Sequence, residues 1–219
     1  MNSIINPLAS GYFFSDTHLL SVLLRRKSET VFWAFVVIPI RTNAQKTVSD
    51  FRLKSTDNKW VSLKKYPDAK GFIILFICNH CPFVSRYTDR LNALNKKYAP
   101  LGVPLLAINS SDTLIFGDET FAKMIAYARK KKYTFPYLCD KNQSVGKNFA
   151  ANKTPHAFII WKENSKWTIE YNGSLDDNGA EPSKVTHAYI NEAVDNLLAG
   201  KKVSTPAMNS IGCEIHYRL

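Results

Sequence analysis

Residues 72–82 join an apolar run to two closely spaced cysteines, and this junction limits the folds open to the chain more than any other segment. Phe72-Ile-Ile-Leu-Phe-Ile77 is continuously apolar and of strand length, which predicts a central strand covered on both faces. Cys78-Asn79-His80-Cys81-Pro82 follows directly. Because proline fits the first turn of a helix, the segment predicts a strand that delivers two thiols to a helix start.

The rest of the chain alternates between strand and helix patterns, which is typical of a parallel α/β core. Apolar residues at spacings of three and four predict amphipathic helices, and short apolar runs predict buried strands. In chain order the predicted elements are a hairpin over 51–63, a strand over 72–77, a helix over 83–98, a strand over 103–109, a helix capped by Asp118, a short helix over 145–151, a hairpin over 157–171 and a final helix opened by Ser183 and stopped by Gly200.

The first 44 residues carry the pattern of an export signal. Arg25-Arg26-Lys27 precedes the ten-residue apolar run VFWAFVVIPI, and Thr42-Asn43-Ala44 offers small residues to a signal peptidase. The run is about half the roughly 20 residues that cross a bilayer as a helix, so no stable membrane anchor is predicted. We expect residues 1–44 to be a signal peptide with a leader from a mis-assigned start codon. Cleavage near Ala44 would then release 45–219 to the periplasm or another exported location as a single domain with a tail, 201–219.

The charge balance excludes few partners by itself. The chain has 29 Lys and Arg against 18 Asp and Glu, a formal net charge of +11. These basic residues are spread in short groups, and no basic-aromatic motif of a nucleic-acid-binding module is present, so nucleic acid is not expected as a partner. The charge favours solubility and attraction to an acidic partner.

Cys78 and Cys81 have the spacing that dithiol exchange needs. One thiolate attacks a disulfide and a second thiol resolves the mixed disulfide. We expect Cys78 to attack, with its thiolate stabilised by the helix N-terminus, and Cys81 to resolve. A protonated His80 would favour the thiolate and make the site more oxidising.

Metal binding and inert packing are the alternatives for such a pair. Structural zinc needs four ligands, typically two cysteine pairs or one pair with two histidines. Cys139 and Cys213 stand alone in the sequence, so neither a metal nor another cofactor is expected. Inert buried thiols are a further alternative, but the polar Asn79-His80 between the cysteines favours a hydrated helix start.

In this order of elements, the chain resembles the thioredoxin superfamily over residues 51–200. The resemblance implies a thioredoxin-like fold, in which a central mixed sheet is flanked by helices, with an N-terminal β-hairpin extension. It also implies that Thr154 and Pro155 bind substrate, because Thr154-Pro155 stands where that superfamily carries a cis-proline against the dithiol. The strings FICNHCPFV, AINSSD, YLCDKNQ, NKTPHAFI, YNGSLDD and GCEI resemble a bacterial redoxin subgroup related to the peroxiredoxin (AhpC/TSA) and TlpA-like branches.

The chain departs from thioredoxin at three points around the dithiol. Ile77 replaces the tryptophan before the first cysteine, and Asn79-His80 replaces Gly-Pro. His80 resembles the third position of the motif in protein disulfide isomerase and the periplasmic disulfide oxidase. The strand over 72–77 has no acidic residue to accept the proton of the resolving thiol.

These patterns favour a thiol–disulfide oxidoreductase of the bacterial cell envelope, with a protein thiol or disulfide as substrate and a separate redox partner protein. The first alternative is a peroxiredoxin-like peroxidase, because peroxiredoxins carry Thr-x-x-Cys at this place. Cys81 would then react with peroxide, and Cys213 is a candidate resolving thiol. The second alternative is a thioredoxin-like copper chaperone using Cys78, Cys81 and a histidine such as His156. The motif known in copper chaperones has three residues between the cysteines rather than two.

Overall fold

Strand 71–76 occupies the centre of the main sheet in the computed structural model, which describes residues 46–218. The predicted signal peptide and its cleavage near Ala44 lie outside these residues. The strands are β1 Thr47–Val48, β2 Arg52–Ser55, β3 Trp60–Ser62, β4 Gly71–Phe76, β5 Leu105–Asn109, β6 Tyr137–Cys139, β7 Lys153–Thr154, β8 His156–Glu163, β9 Lys166–Gly173 and β10 Cys213–Glu214. The helices are α1 Pro82–Arg86, α2 Thr88–Tyr98, α3 Phe121–Lys130, α4 Ser144–Phe149 and α5 Tyr189–Leu198.

The main sheet is mixed and has the order β1-β9-β8-β4-β5-β6-β2-β3. Strands β4, β5 and β6 are parallel, whereas β8 pairs with β4 in the antiparallel direction and continues into a hairpin with β9. The hairpin β2–β3 joins the sheet through β6. The predicted thioredoxin-like fold, with a central mixed sheet flanked by helices and a hairpin extension, is therefore confirmed.

The core lies on both faces of β4, because successive side chains of a strand point to opposite faces. Ile73 and Leu75 belong to one apolar cluster, which includes buried residues of α1, α2, α3 and α5. Phe72, Ile74 and Phe76 belong to the other cluster, beside the hairpin β2–β3 and α4. All six residues of β4 are buried, which explains its continuous apolar sequence.

Three helix boundaries differ from the sequence predictions. Asp118 does not cap α3, because it lies in the 3-10 turn Gly117–Glu119 and Thr120 is the N-cap. Ser183 does not open the last helix, since residues 183, 186 and 187 are exposed and offer no apolar face to the core. The helix predicted over 83–98 is divided at Tyr87 into α1 and α2.

The chain after α5 returns to the sheet as a tail over residues 201–218. Met208 donates its N–H to the carbonyl of Asn172, and β10 then pairs with β7 in a separate two-stranded sheet. Among residues 46–218, no helix combines the length and the apolar character needed to cross a membrane.

Candidate active site

The two thiols of the motif lie in the loop between β4 and α1 and are both about 1% exposed. Both cysteines are free thiols. Helix α1 begins at Pro82 and Cys81 is its N-cap residue, so the expectation that Cys78 stands at the helix start is wrong. The backbone N–H of Val84 in the first helical turn is a hydrogen-bond donor to Cys81.

Thr154 contacts both sulfurs. Its hydroxyl Oγ1 lies 3.2 Å from the Sγ of Cys78, and its carbonyl oxygen lies 3.0 Å from the Sγ of Cys81, which donates to it as a thiol. The peptide bond between Thr154 and Pro155 is cis. The structure thus brings together the two cysteines and the Thr-Pro pair that the sequence placed far apart.

Glu119 belongs to the site although the sequence analysis did not identify it. It lies in the 3-10 turn before α3, and its side chain is fully buried. Its carboxylate accepts the backbone N–H groups of Asn79 at 2.9 Å and of His80 at 3.0 Å. It also accepts the side-chain amide of Asn109 at 2.6 Å, from the end of β5. A buried carboxylate therefore holds the two residues between the cysteines in place.

The His80 ring is fixed on two sides. Its Nδ1 lies 2.6 Å from Oε1 of Glu119, and the ring of Phe116 stacks on it with centroids 4.4 Å apart. The side chain keeps 27% of its surface exposed. The motif histidine thus reaches solvent while its other side is paired with the buried acid.

Tyr137 closes this hydrogen-bond network at the floor of the site. Its hydroxyl donates to Oδ1 of Asn79 and accepts from the amide of Asn109, both at 3.0 Å. Burial, followed by the charge of Glu119, raises the pKa of Tyr137 well above its usual range. The hydroxyl is therefore a fixed neutral donor toward the motif.

The surroundings of the two thiols separate their acidities. The hydrogen bond from the Cys78 thiol, with further bonds from Cys213 and from the N–H of Val84, outweighs burial and lowers the pKa of Cys81 to about 4. The bond that Cys78 makes to Cys81, burial and the charge of Glu119 raise the pKa of Cys78 well above its usual range. These opposite shifts favour the thiolate form of Cys81 over that of Cys78.

The other sequence candidates divide between the site and the rest of the core. Cys213 lies in β10 opposite Thr154 and packs against the cluster that contains both motif thiols. His156 is instead packed against Phe158, on the opposite face of the sheet from the thiols, so the expectation that it approaches them is wrong. Cys139 is half-buried, and burial raises its pKa.

One cluster of metal-ligating groups occurs within residues 46–218. The candidate ligand atoms of Cys78, His80 and Glu119 lie within 4.8 Å of one another. Glu119 already accepts the backbone N–H groups of Asn79 and His80, so a metal ion on this carboxylate would compete with these bonds. The arrangement fits a carboxylate that organises the motif better than an open metal site.

Comparisons with known proteins identify a family and a number of similar solved structures. The sequence model of the AhpC/TSA family matches residues 44–168, more than half of the chain. A hypothetical protein from Sinorhizobium meliloti 1021 is 34% identical with a TM-score of 0.72, over 80% of this chain and 94% of that one. An uncharacterized conserved protein from Geobacillus kaustophilus is 35% identical with the same TM-score, over 80% of this chain and 92% of that one. No curated protein matches the chain.

Proposed function

Because the chain belongs to the AhpC/TSA family, we propose that it is a thiol–disulfide oxidoreductase that uses Cys78 and Cys81. The observation that carries this proposal is the contact of Thr154 with both sulfurs beside the cis peptide bond. Both thiols are buried and contact Thr154, but their pKa values differ widely. The more acidic thiol can act as the nucleophile, and the other is positioned to resolve the mixed disulfide. Neither a metal nor an organic cofactor has a role in this exchange.

The lower pKa of Cys81 supports it as the first nucleophile, in place of the Cys78 that the motif alone suggests. The Cys81 thiolate attacks one sulfur of a substrate disulfide, forms a mixed disulfide and releases the other substrate sulfur as a thiolate. Cys78 then loses its proton, and its sulfur attacks the Sγ of Cys81. The Cys78–Cys81 disulfide forms, and the second substrate thiolate leaves, so two electrons have passed to the substrate.

Glu119 is suited to receive the proton of Cys78 in the second step. Its carboxylate lies within 4.8 Å of the Cys78 sulfur, close enough for transfer directly or through one water. Glu119 would thereby provide the acidic proton acceptor that the strand before the motif does not contain. His80, paired with the same carboxylate and partly exposed, would tune the reduction potential.

A polypeptide is the substrate class that the surroundings favour. Leu114 and Ile115 are 83% and 60% exposed and directly precede Phe116, which stacks on His80. Exposed apolar side chains beside a reactive site fit a protein partner better than a small polar molecule. Thr154 and Pro155 would present backbone to the substrate chain, and a separate redox protein would restore the starting state. The export signal predicted from the sequence of residues 1–44 supports the proposal of a place in the cell envelope.

Disulfide mapping in a series of glutathione redox buffers tests the proposed exchange. We expect a reversible Cys78–Cys81 disulfide, with a midpoint of about −120 mV for an oxidant or about −270 mV for a reductant. Cys139→Ser is the matched control and should leave the midpoint unchanged. A protein in which Cys78 and Cys81 stay reduced across the whole series would exclude the proposal.

The acidity of Cys81 favours peroxide reduction as the second candidate function. A thiolate is the reactive form toward peroxide, and Cys81 holds the position of the peroxidatic cysteine in the Thr-x-x-Cys pattern. Peroxide turnover that survives Cys78→Ser and is lost in Cys81→Ser would support this activity. Turnover that needs both cysteines equally would favour the dithiol proposal.

A further inference from the structure

The C-terminal tail occupies the backbone edge beside the cis peptide bond. β10 runs antiparallel to β7, with Cys213 opposite Thr154 and Glu214 opposite Lys153. This edge belongs to the residue that contacts both motif sulfurs. An extended polypeptide can add to such an edge only through the same backbone groups, so the tail lies where a substrate strand would pair.

The tail approaches this edge more closely than a side chain would allow. A Cβ on Gly212 would lie 2.1 Å from the carbonyl oxygen of Thr154, which is backbone and cannot move aside cheaply. The hydroxyl of Thr154 also lies 3.5 Å from the carbonyl oxygen of Cys213. Glycine at this position therefore permits the close pairing that carries Cys213 to the site.

The tail is anchored on the far side of β10 as well. Ile215 is 7% exposed in the second apolar cluster and donates its N–H to the Asn152 carbonyl. The hydroxyl of Tyr217 donates to the Ala151 carbonyl at 2.6 Å. The Arg218 guanidinium pairs with Asp112 at 2.5 Å. Pairing, burial and charge together hold Cys213 at a fixed place rather than on a loose end.

We propose that Cys213 is a third redox thiol of this site, held by the tail as an internal substrate strand and able to form a disulfide with Cys81. The strand pairing of Cys213 with Thr154 places Cys213 near the dithiol, because the Thr154 carbonyl oxygen lies 3.0 Å from the Cys81 sulfur. Cys81 then has two alternative partners, Cys78 on its own loop and Cys213 on the tail. Hydrogen bonding from Cys213 to Cys81 agrees with this placement.

The exchange balances with oxidised glutathione as the oxidant. The Cys81 thiolate attacks one glutathione sulfur, forms a mixed disulfide and releases one glutathione thiolate. Cys213 loses its proton to solvent, and its sulfur attacks the Cys81 sulfur, which releases the second glutathione thiolate. One protein disulfide and two reduced glutathione molecules result. Attack of Cys78 on Cys81 would then move the disulfide to Cys78–Cys81 and free Cys213, without further oxidation.

The inference rests on the proposed thiol chemistry of Cys81, and variants separate the two ideas. The Cys78→Ser and Cys213→Ser proteins, with Cys139→Ser as control, would be treated with oxidised glutathione, alkylated and mapped by peptide mass. We expect a Cys81–Cys213 disulfide in Cys78→Ser, and a Cys78–Cys81 disulfide in Cys213→Ser. A persistent Cys81–glutathione adduct with free Cys213 in the Cys78→Ser protein would overturn the inference alone. Absence of a Cys78–Cys81 disulfide in the Cys213→Ser protein would instead overturn the proposed function.

A glycine pair tests whether the tail strand presents Cys213. In the Cys78→Ser background, Gly212→Ala should abolish the Cys81–Cys213 disulfide, because its Cβ collides with Thr154. Gly117→Ala is the matched control, since a Cβ there meets no atom within 4 Å, and it should keep the disulfide. Thermal unfolding of both proteins would show that each is folded. An unchanged disulfide yield in a folded Gly212→Ala protein would contradict the role of the tail strand.

Discussion

The Glu119 carboxylate accepts backbone N–H groups of the motif although Glu119 lies 40 residues after Asn79. Burying a carboxylate away from solvent costs free energy unless hydrogen bonds compensate for the lost hydration. Here Asn79, His80 and Asn109 donate those hydrogen bonds. The same charge disfavours a thiolate on Cys78. One buried acid therefore shapes the motif, and its charge adds to the hydrogen bond with Cys81 and to burial in raising the pKa of Cys78.

Replacing Glu119 by Gln should make Cys78 more acidic, because the nearby negative charge is removed while the size is kept. The rate of Cys78 alkylation by iodoacetamide, followed against pH in a Cys81→Ser background, should rise at a lower pH than with Glu119 present. The lost acceptor should also reduce the free energy of unfolding by about 1–3 kcal/mol.

Glu181→Gln is the control for this measurement, because Glu181 is an exposed acid paired with Lys184. Its alkylation profile should match that of the protein with both acids intact. If Cys78 kept the same profile in Glu119→Gln, the carboxylate would not control its acidity.

His156 should make the protein sensitive to mild acid. Burial lowers the pKa of His156 to about 4, whereas the pKa of a histidine in an unfolded chain is about 6.5. Between these two pKa values, His156 is protonated in the unfolded chain but neutral in the native state. The free energy of unfolding therefore falls as the pH drops through this window. The loss should reach about 3 kcal/mol at pH 4 by linkage.

Urea unfolding between pH 4 and pH 7 measures this dependence. His156→Gln should flatten the curve in that window. His187→Gln should leave it unchanged, because the His187 side chain is 63% exposed. An equally steep acid loss in the His156→Gln protein would assign the sensitivity to other groups.

The sequence could locate only part of the site. Spacing and the strand-to-helix junction identify Cys78 and Cys81, and the Thr154-Pro155 pair follows from the family resemblance. Glu119 could not be found, because a single acid in a polar loop looks like any exposed turn residue. The relative acidity of the two thiols also escaped prediction, since it depends on contacts that the fold makes between distant segments.

Among the strands, the long apolar segments were predictable and the shortest ones were not. The predictions of β4 and of the hairpin β8–β9 are confirmed. Their apolar patterns extend over enough residues to indicate strands from the sequence. β7 and β10 have two residues each, and only their pairing with each other defines them. Local pattern carries no information about such a pairing, which arises from where the tail is anchored.

The central strand should dominate stability. Ile74 is fully buried in the middle of β4, so Ile74→Ala should lower the free energy of unfolding by about 2–5 kcal/mol. Ile115→Ala is a matched control, because Ile115 is 60% exposed and its loss should change stability by less than about 0.5 kcal/mol. Equal midpoints for the two variants in urea unfolding would contradict the central position of β4.

The proposed export fixes where the mature chain should begin. β1 starts at Thr47 and pairs with β9 at the edge of the main sheet. Cleavage after Ala44 leaves this strand whole, so the envelope fraction should contain a protein whose first residue is Gln45, as read by N-terminal peptide mass. Ala44→Leu should block processing, because a large residue does not suit the signal peptidase, whereas Thr42→Ala should be processed normally.

A full-length protein in the cytoplasmic fraction, with residues 1–44 retained, would contradict the proposed location. The redox chemistry does not depend on this outcome, because the site lies entirely within residues 78–218. Location and activity are thus tested separately.

The pairing of β10 with β7 makes the tail a tethered competitor for any incoming chain. A segment linked to its own binding edge through a short connection acts at an effective concentration of about millimolar. A free peptide at micromolar concentration would need roughly thousandfold stronger intrinsic binding to take the edge in half of the molecules. Partners that first dock elsewhere on the surface escape this penalty, because they too become tethered. The tail would therefore act as a filter that passes docked protein partners and rejects stray unfolded peptides.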